Sequence, residues 1–191
     1  MDYIALHENE HLEDKVKVAQ NDIECFKVIE ERLSPSGRIE YWTFPLYAPL
    51  SQEIVESGVP QHPQGEMKPD LLLNGKTRLD EGFVHAYRRL EDAVRYMEES
   101  CIGYDETRPV VYKCVIPKGA QYFETLKVTV IAPNPIESYA TTQLRYVQPI
   151  YERVWRKTRD WHRMEKPEKK KKFGIILDET QINGDVIQDD D

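Results

Sequence analysis

Residues 82–103 read GFVHAYRRLEDAVRYMEESCIG, and the period of this stretch changes partway along. Phe83 to Tyr87 are mostly β-favouring residues that follow a glycine, the pattern of a strand. From Leu90 the apolar residues Leu90, Ala93, Val94, Met97 and Cys101 recur at i, i+3, i+4, i+7 and i+11, one face of an amphipathic helix. Glu91 and Arg95 stand one turn apart on the outer face as an ion pair, and Gly103 is placed to end the helix.

On either side of this strand and helix the patterns are those of strands. Upstream, Ile23 to Glu30 is a β-rich run, the turn Ser34-Pro35-Ser36-Gly37 follows, and Arg38 to Phe44 alternates again around Tyr41 and Trp42. That order predicts a hairpin. Pro45 and Pro49 interrupt any strand, and Ser51 is a fitting N-cap for a short helix stopped by Gly58. Residues 59–79 carry Pro60, Pro63, Gly65, Pro69 and Asn74-Gly75 and read as loop, with Leu71 to Leu73 able to pair as an edge. Downstream, strands are expected at Pro109 to Ile116, Leu126 to Ala132 and Tyr139 to Val147. Strands around one central helix argue for an α+β domain over residues 23–150, with a mainly antiparallel sheet.

The two flanks differ from this middle. Residues 1–22 contain six acids and two lysines, show little periodicity, and read as a polar acidic arm or a short helix. From Tyr151 the pattern is helical, with Tyr151, Val154, Trp155, Thr158 and Trp161 on one side. Arg153, Arg156, Lys157, Arg159 and Arg163 lie elsewhere, and Pro167 ends the helix. Residues 153–172 hold ten Lys or Arg against three acids, and residues 173–191 hold six acids and no base. The expected layout is therefore an arm, an α+β domain with a basic C-terminal helix, and an acidic tail whose Asn183-Gly184 suits a tight hairpin.

Of 191 residues, 40% are hydrophobic, 10% aromatic and 31% charged, a globular composition that can fill one core. No apolar run approaches the ~20 residues needed to cross a bilayer, and the acidic start is unlike a signal peptide, so a cytoplasmic protein without membrane contact is expected. Three cysteines, Cys25, Cys101 and Cys114, form no CxxC pair and read as buried free thiols of a reducing compartment. A net charge of −8 disfavours nucleic-acid binding by the whole surface, which leaves the 153–172 block as the one region suited to phosphates.

His7-Glu8-Asn9-Glu10-His11 matches H-E-x-x-H letter for letter, a pattern that binds zinc when it lies on a packed helix. Here Glu10 occupies a position that a packed helix would bury and no third ligand is marked, so no metal is expected at these histidines. No GxGxxG, Walker loop, GxSxG or CxxC metal pair occurs, and no cofactor is expected. The residues expected to carry interactions are Arg153, Trp155, Arg156, Lys157, Arg159, Trp161 and Arg163. Their partner is a protein or assembly neighbour, with nucleic acid as the alternative.

Glu81-Gly82-Phe83-Val84-His85-Ala86-Tyr87, the helix with Ala93 and Tyr96, the run Val110 to Phe123 and Tyr139-Ala140-Thr141 together resemble small uncharacterised proteins of bacteriophages and gut Bacteroidetes, over about half of the chain. That resemblance implies a phage or mobile-element setting, in the host cytoplasm or the virion. The same order is similar to the ADP-ribosyltransferase fold. By that likeness Tyr87 or Tyr96 stacks on the nicotinamide of NAD, Glu137 orients the ribose, and Arg32 is the candidate for gripping NAD. The packing alternative for His85, Tyr87 and Tyr96 is half-buried sheet and helix contact. Taken together, these features favour a non-catalytic interaction protein, a virion or accessory component, over an NAD-using enzyme or a nucleic-acid-binding accessory protein.

Overall fold

A computed structural model of the chain describes residues 1–43, 48–65, 68–71, 75–100, 107–128 and 134–152. In chain order its strands are β1 (Asp2–Ala5), β2 (Lys17–Val18), β3 (Ile23–Leu33), β4 (Ile39–Thr43), β5 (Pro49–Leu50), β6 (Lys68–Leu71), β7 (Lys76–Glu81), β8 (Val84–Tyr87), β9 (Thr107–Ile116), β10 (Gln121–Lys127), β11 (Ile136–Thr141) and β12 (Arg145–Glu152). The helices are α1 (Gln52–Ser57) and α2 (Leu90–Ser100).

All twelve strands belong to one sheet, whose main path runs β12-β9-β3-β8-β11-β10-β1-β7-β6, with β2 against β10 and β4 and β5 built onto β3. Every pairing among these strands is antiparallel. The expected hairpin forms as β3 and β4, with Leu33 opposite Ile39 across the Ser34–Gly37 turn. Helix α1 is bounded as its sequence predicts: Ser51 Oγ accepts the Ile54 N–H at 3.3 Å, and Gly58 takes the left-handed conformation at φ +73°.

The long strands β3 and β9 pair from Ile23–Ile116 to Arg32–Thr107 and are buried on both faces. Because side chains alternate, Phe26, Val28 and Val111 point to the face covered by α2, where Ala93 and Met97 have no exposed surface. Cys25, Ile29, Val110, Tyr112, Cys114 and Ile116 point the other way, into a core shared with Tyr41, Leu50 and Val55. A buried ion pair joins the two strands: Arg108 donates through Nε and Nη2 to Glu31 Oε2 at 3.0 and 2.9 Å. Breaking such a pair leaves an uncompensated buried charge and costs about 3–5 kcal/mol.

Four elements differ from the sequence reading. Residues 2–5 are a strand rather than an arm or helix, with β10 on one side and β7 on the other, and Asp2 and Tyr3 are buried. Within residues 59–79, read as loop with Leu71 to Leu73 able to pair as an edge, β6 pairs with β7, and Gly75, immediately before β7, has φ +69°, where a Cβ would lie 2.8 Å from the Leu6 carbonyl oxygen. The strand expected at Leu126 to Ala132 begins earlier, at Gln121, and residues 129–133 lie outside the described residues. The single strand expected at Tyr139 to Val147 is two strands, β11 and β12, divided by a turn in which Thr141 Oγ1 accepts the Gln143 N–H.

The proposed start of the basic C-terminal helix is corrected as well. Tyr151 lies in β12, opposite Val111, where its hydroxyl donates to Glu98 of α2 at 2.5 Å. The rest of that segment lies outside the described residues. Among the described residues, no helix is long and apolar enough to cross a membrane.

Candidate functional site

Strand register gathers polar side chains on the face of the sheet that carries α2. Asp2 lies opposite Lys127, Thr125 opposite Ser138, and Ser138 opposite Tyr87, while His85 is two residues before Tyr87 on the same strand. By the two-residue period of a strand, all of them point to one side. The N-terminal strand is what completes the group, since it inserts Asp2 between β10 and β7.

The bonds within this cluster are short. Ser138 Oγ donates to Asp2 Oδ1 at 2.6 Å, so the Thr125 hydroxyl, 2.8 Å away, donates to Ser138. The Asp2 backbone N–H donates to Asp80 Oδ1 at 2.8 Å. His85 Nε2 lies 3.1 Å from the Asp80 carbonyl oxygen, and its Nδ1 lies 3.4 Å from Asp2 Oδ2. Two cations approach from neighbouring strands. Lys27 Nζ donates to the His85 carbonyl at 2.7 Å, and Lys127 Nζ stands 3.9 Å from Asp2 Oδ2, over the rings of Tyr87 and Tyr96 at 4.7 and 5.6 Å. Burial holds the His85 imidazole below its ordinary pKa against the pull of Asp2. Burial, then the charge of Lys127, lowers the Lys27 ammonium to about 8.

Chemically, the cluster brings two carboxylates, Asp2 and Asp80, and the His85 imidazole within reach of one another. Ser138 has a carboxylate for a hydrogen-bond partner but is 1% exposed, leaving a substrate no approach to its hydroxyl. His85 does not reach Ser138 as a base would; it faces Asp2 and a backbone carbonyl.

The residues assigned by likeness to an NAD site are placed apart. Ser138 pairs with Tyr87, so its neighbour Glu137 points to the opposite face of the sheet from Tyr87. Glu137 is half-exposed and ion-paired to Arg88 and Arg89 at 3.5 and 3.1 Å, and it lines a surface cleft together with Arg89, Asp92, Arg95 and Asn134. Tyr87 is buried, packing on Tyr96 with ring centroids 5.7 Å apart. Arg32 lies over the Trp42 ring at 4.2 Å and pairs with Glu30 at 2.6 Å. The structure therefore does not bring Glu137, Tyr87 and Arg32 into one cleft.

His7 and His11 are not on a helix. Asn9 has φ +70°, the Glu10 N–H bonds the His7 carbonyl in a turn, and His11 precedes a single 3-10 turn over Leu12–Lys15. The spacing that aligns two imidazoles on one helical face is lost. Cys25 and Cys114 are buried free thiols, as expected, while Cys101 falls outside the described residues. So do Arg153, Trp155, Arg156, Lys157, Arg159, Trp161 and Arg163.

What the sequence did not reveal is the meeting of Asp2, Asp80 and His85, whose ligand-type atoms lie within 4.8 Å of one another. Their positions along the chain carry no motif spacing. The available signal was local: a histidine between Val84 and Ala86, in a strand otherwise apolar enough to be buried on both faces. No protein-family model matches the chain, and neither the curated proteins nor the solved structures contain a significant match.

Proposed function

We propose that this is a non-catalytic interaction protein of phage or mobile-element type, a virion or accessory component that docks onto an acidic protein surface. The observation that supports this reading most is positional. Strand β12 stands at one end of the sheet path and ends at Glu152, and the ten Lys or Arg of residues 153–172 begin at the next residue. A folded sheet followed directly in sequence by a basic segment suits electrostatic docking, and the six acids that follow suit regulation of that segment by charge. The absence of a shared cleft for Glu137 and Tyr87 leaves the NAD-using alternative without support in the geometry.

Fluorescence anisotropy with labelled poly-glutamate and with single- and double-stranded oligonucleotides, at two salt concentrations, tests the proposal. We expect the full chain to bind all three weakly, and a chain ending at Lys172 to bind poly-glutamate more tightly, with an affinity that falls as salt rises. Equal, salt-insensitive affinities for both chains overturn masking by the tail. Tight oligonucleotide binding by the full chain instead makes this a nucleic-acid-binding accessory protein.

A further inference from the structure

We propose that Asp2, Asp80 and His85 form a binding site for a divalent transition-metal ion of the zinc or cobalt class. The partner of His85 Nε2 is a backbone carbonyl, which only accepts, so Nε2 carries the proton. In the neutral ring this turns the lone pair of Nδ1 toward Asp2 Oδ2, another acceptor, 3.4 Å away. Nδ1 has no accessible surface and no hydrogen-bond partner, so water does not relieve the opposition. A cation between the two atoms does.

The spacing fits a metal. Two ligands on a tetrahedral ion, each at about 2.0–2.1 Å, stand about 3.3 Å apart. The groups behind the ligands are those that orient metal ligands elsewhere: a carbonyl on the far nitrogen of the imidazole, and a hydroxyl relay from Thr125 through Ser138 on the far oxygen of the carboxylate. Asp80 supplies the third donor from the rim, where its side chain is 38% exposed and gives the ion a way in. An imidazole with two carboxylates is a ligand set for first-row divalent metals rather than for calcium.

Arg78 Nε, 3.4 Å from Asp80 Oδ2, competes for the rim carboxylate, and Lys127 competes inside the site, since its ammonium approaches the same Asp2 oxygen. It is also held over the faces of Tyr87 and Tyr96, an alternative seat for a cation that lets it withdraw from Asp2 when the ion is bound. The site is unrelated to the histidines of the H-E-x-x-H letters, and this separates the two in an experiment.

The full chain, purified without a polyhistidine tag and stripped with chelator, is titrated with zinc chloride by calorimetry and with cobalt(II) by visible absorption. We expect about one equivalent of zinc per chain and a melting temperature that climbs with zinc concentration. His85→Gln abolishes both, Ser138→Ala weakens zinc roughly 10- to 100-fold, and Lys127→Met tightens it. The double variant His7→Ala/His11→Ala binds as the parent does. Should His85→Gln fail to fold, as judged by circular dichroism, Asp80→Asn on the exposed rim replaces it and loses the same uptake. Absence of zinc uptake overturns the proposal and leaves a proton as the cation between His85 and Asp2. Uptake that survives in the His85 or Asp80 variant and disappears with His7 and His11 overturns it too.

Discussion

Cys25 and Cys114 face each other across the β3–β9 ladder, unbridged and without exposed surface. Burial pushes the Cys25 thiol up to about 12 and the Cys114 thiol well above its usual value. An unfolded thiol ionises near ~8.5, so above that pH the unfolded chain releases protons that the folded chain keeps. The folded state then binds more protons, and stability falls as pH rises, by roughly 1 kcal/mol per pH unit for each thiol. Lys27 works in the opposite direction over part of the same range, because its lowered pKa means the folded chain releases that proton first. The informative quantity is therefore a difference between two proteins. Urea denaturation of the parent and of Cys25→Ala/Cys114→Ala, at pH 7.0 to about 9.5, should show the parent losing ground to the variant as pH rises. A difference that does not change with pH would contradict thiols held protonated by burial.

Among the elements, α2 shows how far a sequence pattern reaches. The stripe Leu90, Ala93, Val94 and Met97 was legible because a period of 3.6 needs no knowledge of the rest of the chain. Its energetic ranking was not: Ala93 and Met97 are fully buried against Phe26, Val28 and Val111, while Leu90 and Val94 are only partly buried at the margin. We expect Met97→Ala to cost about 2–5 kcal/mol in urea denaturation and Val94→Ala distinctly less. Equal losses would mean that the helix sits on the sheet with a different face. Strand β12 is the opposite case. The aromatic spacing after Tyr151 is helical and predicts a helix there, whereas the pairing with Val111 and the bond to Glu98 that hold Tyr151 in a strand depend on partners 40 and 53 residues away. Local periodicity has no access to such partners. The H-E-x-x-H letters fail for a related reason, since a spacing of four has its metal-binding meaning only on a helix and Asn9 turns the chain there.

At the scale of the whole molecule, the least legible element is the one that joins two parts of the sheet. Asp2-Tyr3-Ile4-Ala5 is too short and too polar at its start to announce a strand, and it lies before an acidic stretch that reads as an arm. In the structure it stands between β10 and β7, and among the described residues the sheet path reaches β7 and β6 through it. Tyr3 is 4% exposed, and Asp2 anchors the Ser138 and Thr125 hydroxyls beneath α2's face of the sheet. Removing residues 1–5 therefore strips the Leu126–Lys127 end of one edge of β10 and the Lys76–Arg78 part of the inner edge of β7. The loss combines about 1.5–3 kcal/mol for a large buried side chain with about 1 kcal/mol for each ladder hydrogen bond, so a drop of at least ~3 kcal/mol in urea denaturation is expected. The loss should also be uneven. Amide exchange should accelerate first in β7, whose remaining partner is β6, while β3 and β9, paired to each other along most of their length, keep their protection until global unfolding. If residues 1–5 were a dispensable arm, the truncated chain would keep the parent's denaturation midpoint and its slow exchange from Lys76 to Glu81. A shift confined to β7 and β6 identifies β1 as the strand that joins that hairpin to the rest of the sheet.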